Sequence, residues 1–270
     1  MPVVVTLLCL PCAGASATMY LRWRALLPAW VRVVPVELPG RGSRLGEAAV
    51  EDFDTLVQLL TAELARRPDG AHQAHAAHAP REALGALGAP TAGTPFALFG
   101  HSMGALLADG IARRLRLAGA PPPVALLLSG SPSPARRDVQ RFAGPLDDAM
   151  LLAELRRQGG TPDAVRAHAE LRRLTLDTLR ADYRVCGSCR VTSAPAHAMP
   201  LHLFAGRDDA VPPGDVAAWR DEAAGPVTFD TFDGGHFFLR DHEAAFLGVL
   251  ARRLSETLAS TTAGRPRAVA

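Results

Sequence analysis

The chain has 270 residues, 48% of them apolar, which is enough for one sizeable core and predicts a single domain spanning residues 1–270. Its 29 basic and 27 acidic residues nearly balance, so the charge gives no indication of a nucleic-acid partner. No stretch stays apolar long enough to span a membrane, so we expect no membrane partner and a cytoplasmic location.

The first apolar run, Val3 to Leu10, is rich in β-branched residues and predicts a buried strand. Together with the small residues after it, this run also resembles a secretory signal peptide. The first basic residue is Arg22, however, and Pro11 and Gly14 interrupt the apolar stretch. A signal peptide begins with a basic segment, so the strand is the interpretation we favour.

Short apolar runs then alternate with amphipathic segments along the chain. The predicted strands after the first are 31–38, 96–99, 124–129, 201–205 and 227–232. The predicted helices are 53–67, 105–117 and 243–258. This alternation is typical of a mostly parallel sheet with helices on both faces, an α/β fold.

Two segments interrupt the alternation. Residues 68–94 are rich in Ala, Gly, Pro and His, have little to bury and predict a flexible surface insertion. Within it His72, His75 and His78 recur every third residue and could bind a metal, but we favour a polar loop. Residues 133–192 predict helices at 146–158 and 171–183. A segment of about 60 residues is too long for a simple connection, so we expect a helical lid.

The strongest motif is Gly100-His101-Ser102-Met103-Gly104, which lies between a predicted strand and a predicted helix. This G-x-S-x-G pattern in a strand-turn-helix context is typical of a nucleophilic serine, because the sharp turn exposes the hydroxyl and needs small neighbours. The amide of Met103 then lies at a helix N-terminus, where free N–H groups stabilise negative charge. Ser102 is therefore the candidate nucleophile.

A serine hydroxyl needs a base, and in sites of this type aspartate and histidine follow the serine in that order. Asp208 and Asp209 follow the strand at 201–205, and His236 follows the strand at 227–232. The carboxyl ends of parallel strands share one edge of the sheet, so these residues are expected near Ser102. We expect Asp209 to be the acid, because it stands three residues after the glycine that ends the strand.

The loop from Leu10 to Ser16 follows the first predicted strand. In sites of this type a loop after an early strand gives the second amide that binds the oxyanion. We therefore expect the backbone N–H groups of Ala13 and Met103 to form the oxyanion hole.

The four cysteines form two C-x-x-C pairs, Cys9 with Cys12 and Cys186 with Cys189. Two such pairs can bind zinc. Because Cys9 lies inside an apolar run, where a free cysteine behaves as a small hydrophobic residue, we favour free thiols and expect no metal and no organic cofactor.

The sequence resembles the type II thioesterases that accompany polyketide synthases and nonribosomal peptide synthetases. The resemblance covers nearly the whole chain and is carried by residues 10–14, 37–42, 96–104, 159–162, 179–183 and 233–238. Leu38-Pro39-Gly40-Arg41-Gly42 is specific to this group. The sequence departs from the group's pattern at Ala15, where glycine is usual, and in the longer insertion before Phe96.

The resemblance implies the α/β-hydrolase fold and a serine thioesterase that removes acyl groups from the phosphopantetheine of acyl or peptidyl carrier proteins. A carboxylesterase or lipase on the same fold is the nearest alternative. An inactive hydrolase that only docks on a synthase is a second, which the complete set of Ser102, Asp209 and His236 disfavours. A chain-releasing domain cut from a larger polypeptide is a third, which we expect less because Met1 stands so close to the first strand.

Overall fold

The computed structural model of the chain describes residues 5–65, 94–142, 144–160, 167–190 and 195–263. The predicted insertion at 68–94, with its histidines, lies outside the described residues except for Thr94. The flexible loop expected there stays a prediction.

Within the described residues, six strands form one sheet in which every neighbouring pair is parallel. The strands are β1 (Val5–Leu10), β2 (Val31–Pro35), β3 (Phe96–His101), β4 (Leu126–Ser129), β5 (Leu201–Gly206) and β6 (Val227–Phe232). Their order across the sheet is β2-β1-β3-β4-β5-β6. Each predicted strand is present, and the prediction of an α/β fold with a parallel sheet is confirmed.

Helices connect the strands and cover the sheet. The α-helices are α1 (Trp23–Leu26), α2 (Phe53–Ala65), α3 (Met103–Leu117), α4 (Asp148–Gln158), α5 (Ala169–Ser188), α6 (Pro213–Ala217), α7 (Phe238–Asp241) and α8 (Glu243–Ala263). Short 3₁₀ helices lie at Ala17–Tyr20, Gly42–Arg44, Pro134–Arg136, Val139–Phe142 and Ala218–Glu222.

The core has two layers, one on each face of the sheet, because side chains of a strand alternate between faces. Leu8 and Leu10 of β1 belong to a hydrophobic cluster that also contains residues of α2 and α3. Leu7 and Cys9 belong to a second cluster, which contains residues of α1 and α8. A strand buried on both faces has a continuous apolar sequence, which is why β1 was recognisable in the sequence.

The segment between β4 and β5 contains the two predicted helices. The first ends at Gln158 as predicted but begins two residues later, and the second is longer than predicted at both ends. Helix α4 begins after Asp147, whose carboxylate accepts a hydrogen bond from the Met150 N–H at 2.8 Å. Helix α5 continues to Ser188, five residues beyond the predicted end. The two helices share a small cluster that includes Leu151, Leu155 and Leu179.

Candidate active site

The turn from β3 into α3 holds Ser102 in a strained conformation. Its φ of 55° and ψ of −117° make it the one non-glycine residue with positive φ in the described part of the chain. Such strain costs on the order of 1–3 kcal/mol and is concentrated at functional sites. A Cβ atom on Gly100 would lie 2.0 Å from the Gly104 carbonyl oxygen, so this turn closes only around glycine.

The topology brings the loop after β1 beside this turn. Strand β1 leads to β2 on one side and is paired with β3 on the other, so the strand order reverses here, where ligands bind in open α/β sheets. Leu10 is paired with Gly100, which places the ends of the two strands side by side. The Tyr20 hydroxyl donates a hydrogen bond to the Leu10 carbonyl at 3.0 Å and holds the end of β1.

Ala13 and Met103 follow the two neighbouring strands, β1 and β3, at which the strand order reverses. Met103 is the first residue of α3, and the first N–H groups of a helix have no carbonyl partner within the helix. Ala13 lies in the loop after β1 and packs against the cluster of α4 and α5. Both residues line the same cavity as Ser102.

His236 and Asp209 meet at the same edge of the sheet. His236 Nδ1 lies 2.8 Å from Asp209 Oδ2, and the side chains are 9% and 1% exposed, respectively. The second carboxylate oxygen, Oδ1, accepts a hydrogen bond from the Val211 N–H at 3.0 Å. The carboxylate is therefore fixed on both oxygens, and the imidazole is held with Nδ1 toward the acid.

Asp208 points elsewhere. It is exposed, and its Oδ2 accepts a hydrogen bond of 3.3 Å from the Gly234 N–H. Adjacent side chains on an extended loop point in different directions, so only one of the pair reaches the imidazole. In this structure that residue is Asp209.

His101, the second residue of the motif, has surroundings that sequence reasoning missed. Its ring lies under that of His236, with centroids 4.7 Å apart, and its Nδ1 lies 3.0 Å from the Ser129 hydroxyl. Its Nε2 is buried and has no hydrogen-bond partner within the described residues. Burial, with the nearby charge of His236, holds the pKa of His101 well below its usual value. A neutral ring beneath His236 does not repel an imidazolium that forms above it.

Ala13, Ser102, Met103, Asp209 and His236 line one cavity of about 550 Å³. Phe142, Tyr183 and Cys186, from the segment between β4 and β5, supply apolar surface. The same segment supplies the charged side chains of Arg136, Arg137, Asp138, Arg141 and Arg157. The cavity therefore combines an apolar wall with an arginine-rich rim.

Glu154 of α4 organises part of this rim. Its carboxylate accepts hydrogen bonds from Arg141, Arg157 and Gln158. Burial by itself would raise the pKa of Glu154, but these arginines hold it at about 2. At neutral pH, ion pairs to Glu154 therefore join α4 to the 3₁₀ helix that precedes it.

The cysteines are all free and buried. Burial raises the pKa of the Cys12 thiol, beside the site, to about 12. The thiolate is the reactive form of cysteine, so Cys12 is not a competing nucleophile near neutral pH. No helix in the described ranges is long and apolar enough to cross a membrane.

The sheet, the serine at its strained strand-helix turn and the histidine-carboxylate pair opposite it are the features of a hydrolase of the α/β-hydrolase fold. Comparison with known proteins narrows this class. A model of the thioesterase domain family matches residues 5–71 and 82–254. The chain therefore belongs to the thioesterase domain family and is a thioester hydrolase.

Individual relatives support this family assignment. Thioesterase PikA5 of Streptomyces venezuelae is 34% identical over 238 residues, covering 88% of this chain and 76% of that protein. Gramicidin S biosynthesis protein GrsT of Aneurinibacillus migulanus is 29% identical over 254 residues, covering 94% and 90%. The structure of the type II thioesterase BorB, from the borrelidin biosynthetic cluster, matches with a TM-score of 0.74 at 37% identity, covering 96% of this chain and 94% of that one. The resemblance to type II thioesterases and the α/β-hydrolase fold are confirmed.

Proposed function

We propose that the protein hydrolyses acyl groups from the phosphopantetheine arms of acyl or peptidyl carrier proteins, with Ser102 as nucleophile, His236 as base and Asp209 as the acid that orients it. The observation that carries this proposal is the 2.8 Å contact between His236 and Asp209 in the cavity that Ser102 lines. A buried carboxylate on Nδ1 leaves Nε2 free to accept a proton.

The reaction proceeds in two halves. His236 Nε2 takes the proton of the Ser102 hydroxyl as the oxygen attacks the thioester carbonyl, and the amides of Ala13 and Met103 bind the oxyanion. The carbon–sulfur bond then breaks, and His236 returns the proton to the leaving thiolate. Water attacks the acyl-enzyme by the same route, which releases the carboxylic acid and restores Ser102. This sequence uses no metal and no organic cofactor.

The cavity suits both ends of such a substrate. Phe142 and Tyr183 offer apolar surface for an acyl chain, and Arg136, at the rim, offers charge that complements the phosphodiester of phosphopantetheine. The segment that supplies these residues, with α4 and α5, serves in this proposal as the lid over the acyl chain.

The relatives support a role in editing. GrsT is named for gramicidin S biosynthesis, and BorB comes from the borrelidin biosynthetic cluster. We infer that this protein likewise serves a polyketide or peptide assembly line, where it clears acyl groups that block a carrier protein. It would meet that partner in the cytoplasm, without nucleic acid or membrane.

The test is hydrolysis of a panel of acyl carrier proteins by Ser102→Ala, beside the control Ser131→Ala. Ser131 lines the same cavity and donates its hydroxyl proton to the Pro132 carbonyl. Loss of the triad serine should lower kcat by several orders of magnitude, whereas the control should stay active. A fluorophosphonate should label the parent on Ser102. Retained turnover by Ser102→Ala would refute the mechanism, and a parent that prefers oxyester analogues over thioesters would refute the substrate class.

A further inference from the structure

A buried ion pair joins two sequence motifs that have no part in the proposed reaction steps. Arg41, in the Leu38-Pro39-Gly40-Arg41-Gly42 stretch, donates through Nη1 and Nη2 to both carboxylate oxygens of Asp182, each at 2.6 Å. Asp182 lies on α5, and the two side chains are 7% and 0% exposed. The loop after β2 is thereby joined to the helix after α4.

The pair also binds the loop after β1. Asp182 Oδ2 accepts a hydrogen bond from the Gly14 N–H at 2.7 Å. Arg41 Nη1 donates to the Ala15 carbonyl at 3.1 Å. One N–H and one C=O of the loop are thus fixed by a single ion pair.

These bonds act next to the proposed oxyanion donor. The Gly14 N–H belongs to the peptide that starts at the Ala13 carbonyl, so holding it fixes the backbone rotation on the carboxyl side of Ala13. The Ala13 N–H lies on the other side of the same Cα. An oxyanion hole works because its donors are oriented before the charge develops, so freedom at this residue would reduce its effect.

Stability alone is a weak explanation for the pair. Replacing a buried ion pair by apolar residues of similar volume is often neutral or stabilising, because two charges must be desolvated. Here the Arg41 Nε is buried and has no hydrogen-bond partner in the described part of the chain. What apolar side chains would not provide is the acceptor for Gly14 and the donor for Ala15.

We propose that Arg41 and Asp182 are positioning residues, which hold the Ala13 amide in place and make α5 part of the assembly of the oxyanion hole. This inference rests on the proposed function, because it takes Ala13 as a donor to the oxyanion. It predicts that the pair acts on the transition state and not on acyl binding.

The test compares the parent, Asp182→Asn and Arg41→Met/Asp182→Leu, with Arg253→Lys and Asp230→Asn as matched controls. Arg253 and Asp230 form a bidentate pair of the same chemistry, at 2.9 and 2.8 Å, between α8 and β6. Each protein is assayed for kcat and KM on an acyl carrier protein and for its melting temperature. Two ligands are titrated: an acyl trifluoromethyl ketone, which forms a tetrahedral oxyanion on Ser102, and an acyl thioether, which does not.

The expected result is a kcat lowered by about 10-fold to about 100-fold in both variants of the pair, with KM little changed. Affinity for the ketone should fall in parallel, because it mimics the transition state, while affinity for the thioether stays the same. The apolar double variant should lose some stability, because the Gly14 N–H and the Ala15 carbonyl are left without partners, but should still be folded at the assay temperature. The two control variants should bind both ligands with the same affinity as the parent.

Two results would overturn the inference: parental kcat in a folded variant of the pair, or a change confined to KM and thioether binding. Should the double variant not fold, Arg41→Lys takes its place, because lysine keeps the charge but not the paired donors. A lower kcat in Arg41→Lys would support the inference, and a parental kcat would overturn it. Activity retained by Ser102→Ala would instead refute the proposed function itself, so the two failures are distinguishable.

Discussion

Replacing Asp209 with asparagine tests the proposed triad at the point where the sequence leaves two candidates. In the parent, Oδ1 accepts the Val211 N–H and Oδ2 faces His236 Nδ1. An asparagine has one acceptor and one donor group. Its oxygen will remain on the Val211 N–H, because an NH₂ group there would set two donors against each other. The NH₂ group must then face His236 Nδ1.

That arrangement forces the wrong tautomer. A donor on Nδ1 makes that nitrogen an acceptor, so the proton moves to Nε2, which can no longer accept the proton of Ser102. The corresponding change in a serine protease lowers kcat by about 10⁴ with the geometry intact. The same loss here would correspond to about 5 kcal/mol of transition-state stabilisation. The fold should be retained, because the side chains have the same shape.

The assay is steady-state hydrolysis of one acyl carrier protein at one pH by Asp209→Asn and Asp208→Asn. Asp208 is exposed and, among the described residues, bonds through its side chain to the loop backbone at Gly234, so its variant should retain kcat close to that of the parent. Loss of activity in Asp208→Asn instead would refute the assignment. A loss of only a few-fold in both would show that the orienting acid lies elsewhere.

Three further results are expected. Gly100→Ala should destabilise the protein by more than about 4 kcal/mol in urea unfolding, because its Cβ would lie 2.0 Å from the Gly104 oxygen; a fully folded variant would contradict this. Burial, with the charge of Arg253, lowers the pKa of His202 to about 4 from an unfolded value of 6.5, so the unfolded state binds the extra proton and stability falls as pH drops through that window. The loss from pH 7 to pH 5 should be about 2 kcal/mol and should disappear in His202→Gln but not in the exposed control His242→Gln. Amides of α4, which buries only Leu151 and Leu155, should exchange faster than those of β3, and equal protection would argue against a mobile lid.

Most of the sheet could be predicted from the sequence, because β1, β3 and β4 are buried along nearly their whole length and appear as apolar runs. The edge strand β6 departs from this pattern, because it is partly exposed and mixes apolar with polar residues. The ends of the helices were harder to predict. The end of α5 depends on Arg137, which donates to the carbonyls of Cys186 and Cys189 at the end of that helix. Arg137 lies about 50 residues before these carbonyls in the sequence. The residues around the end of α5 therefore give no local signal for where the helix stops.

The serine and histidine of the site could be predicted because each stands at the end of a strand within a short motif. The selection of Asp209 over Asp208 depended on counting from Gly206, and it is Asp209 that contacts His236. Contacts between distant segments could not be predicted. Arg41 and Asp182 both stand in stretches noted for their resemblance, but nothing in either stretch indicates that the two side chains meet.

The spacing of the two proposed oxyanion donors depends on Gly104, which has no side chain. The donors come from different elements, Ala13 from the loop after β1 and Met103 from the start of α3, so their separation depends on how closely α3 approaches the end of β1. A Cβ atom on Gly104 would lie 2.3 Å from the Leu10 carbonyl oxygen, so any larger residue would push the helix away from that strand. The last glycine of the motif therefore acts less on the serine than on the distance across the hole. With Asp182 and Arg41 holding the loop from the other side, both walls of the proposed oxyanion hole are set by packing that is complete before substrate arrives.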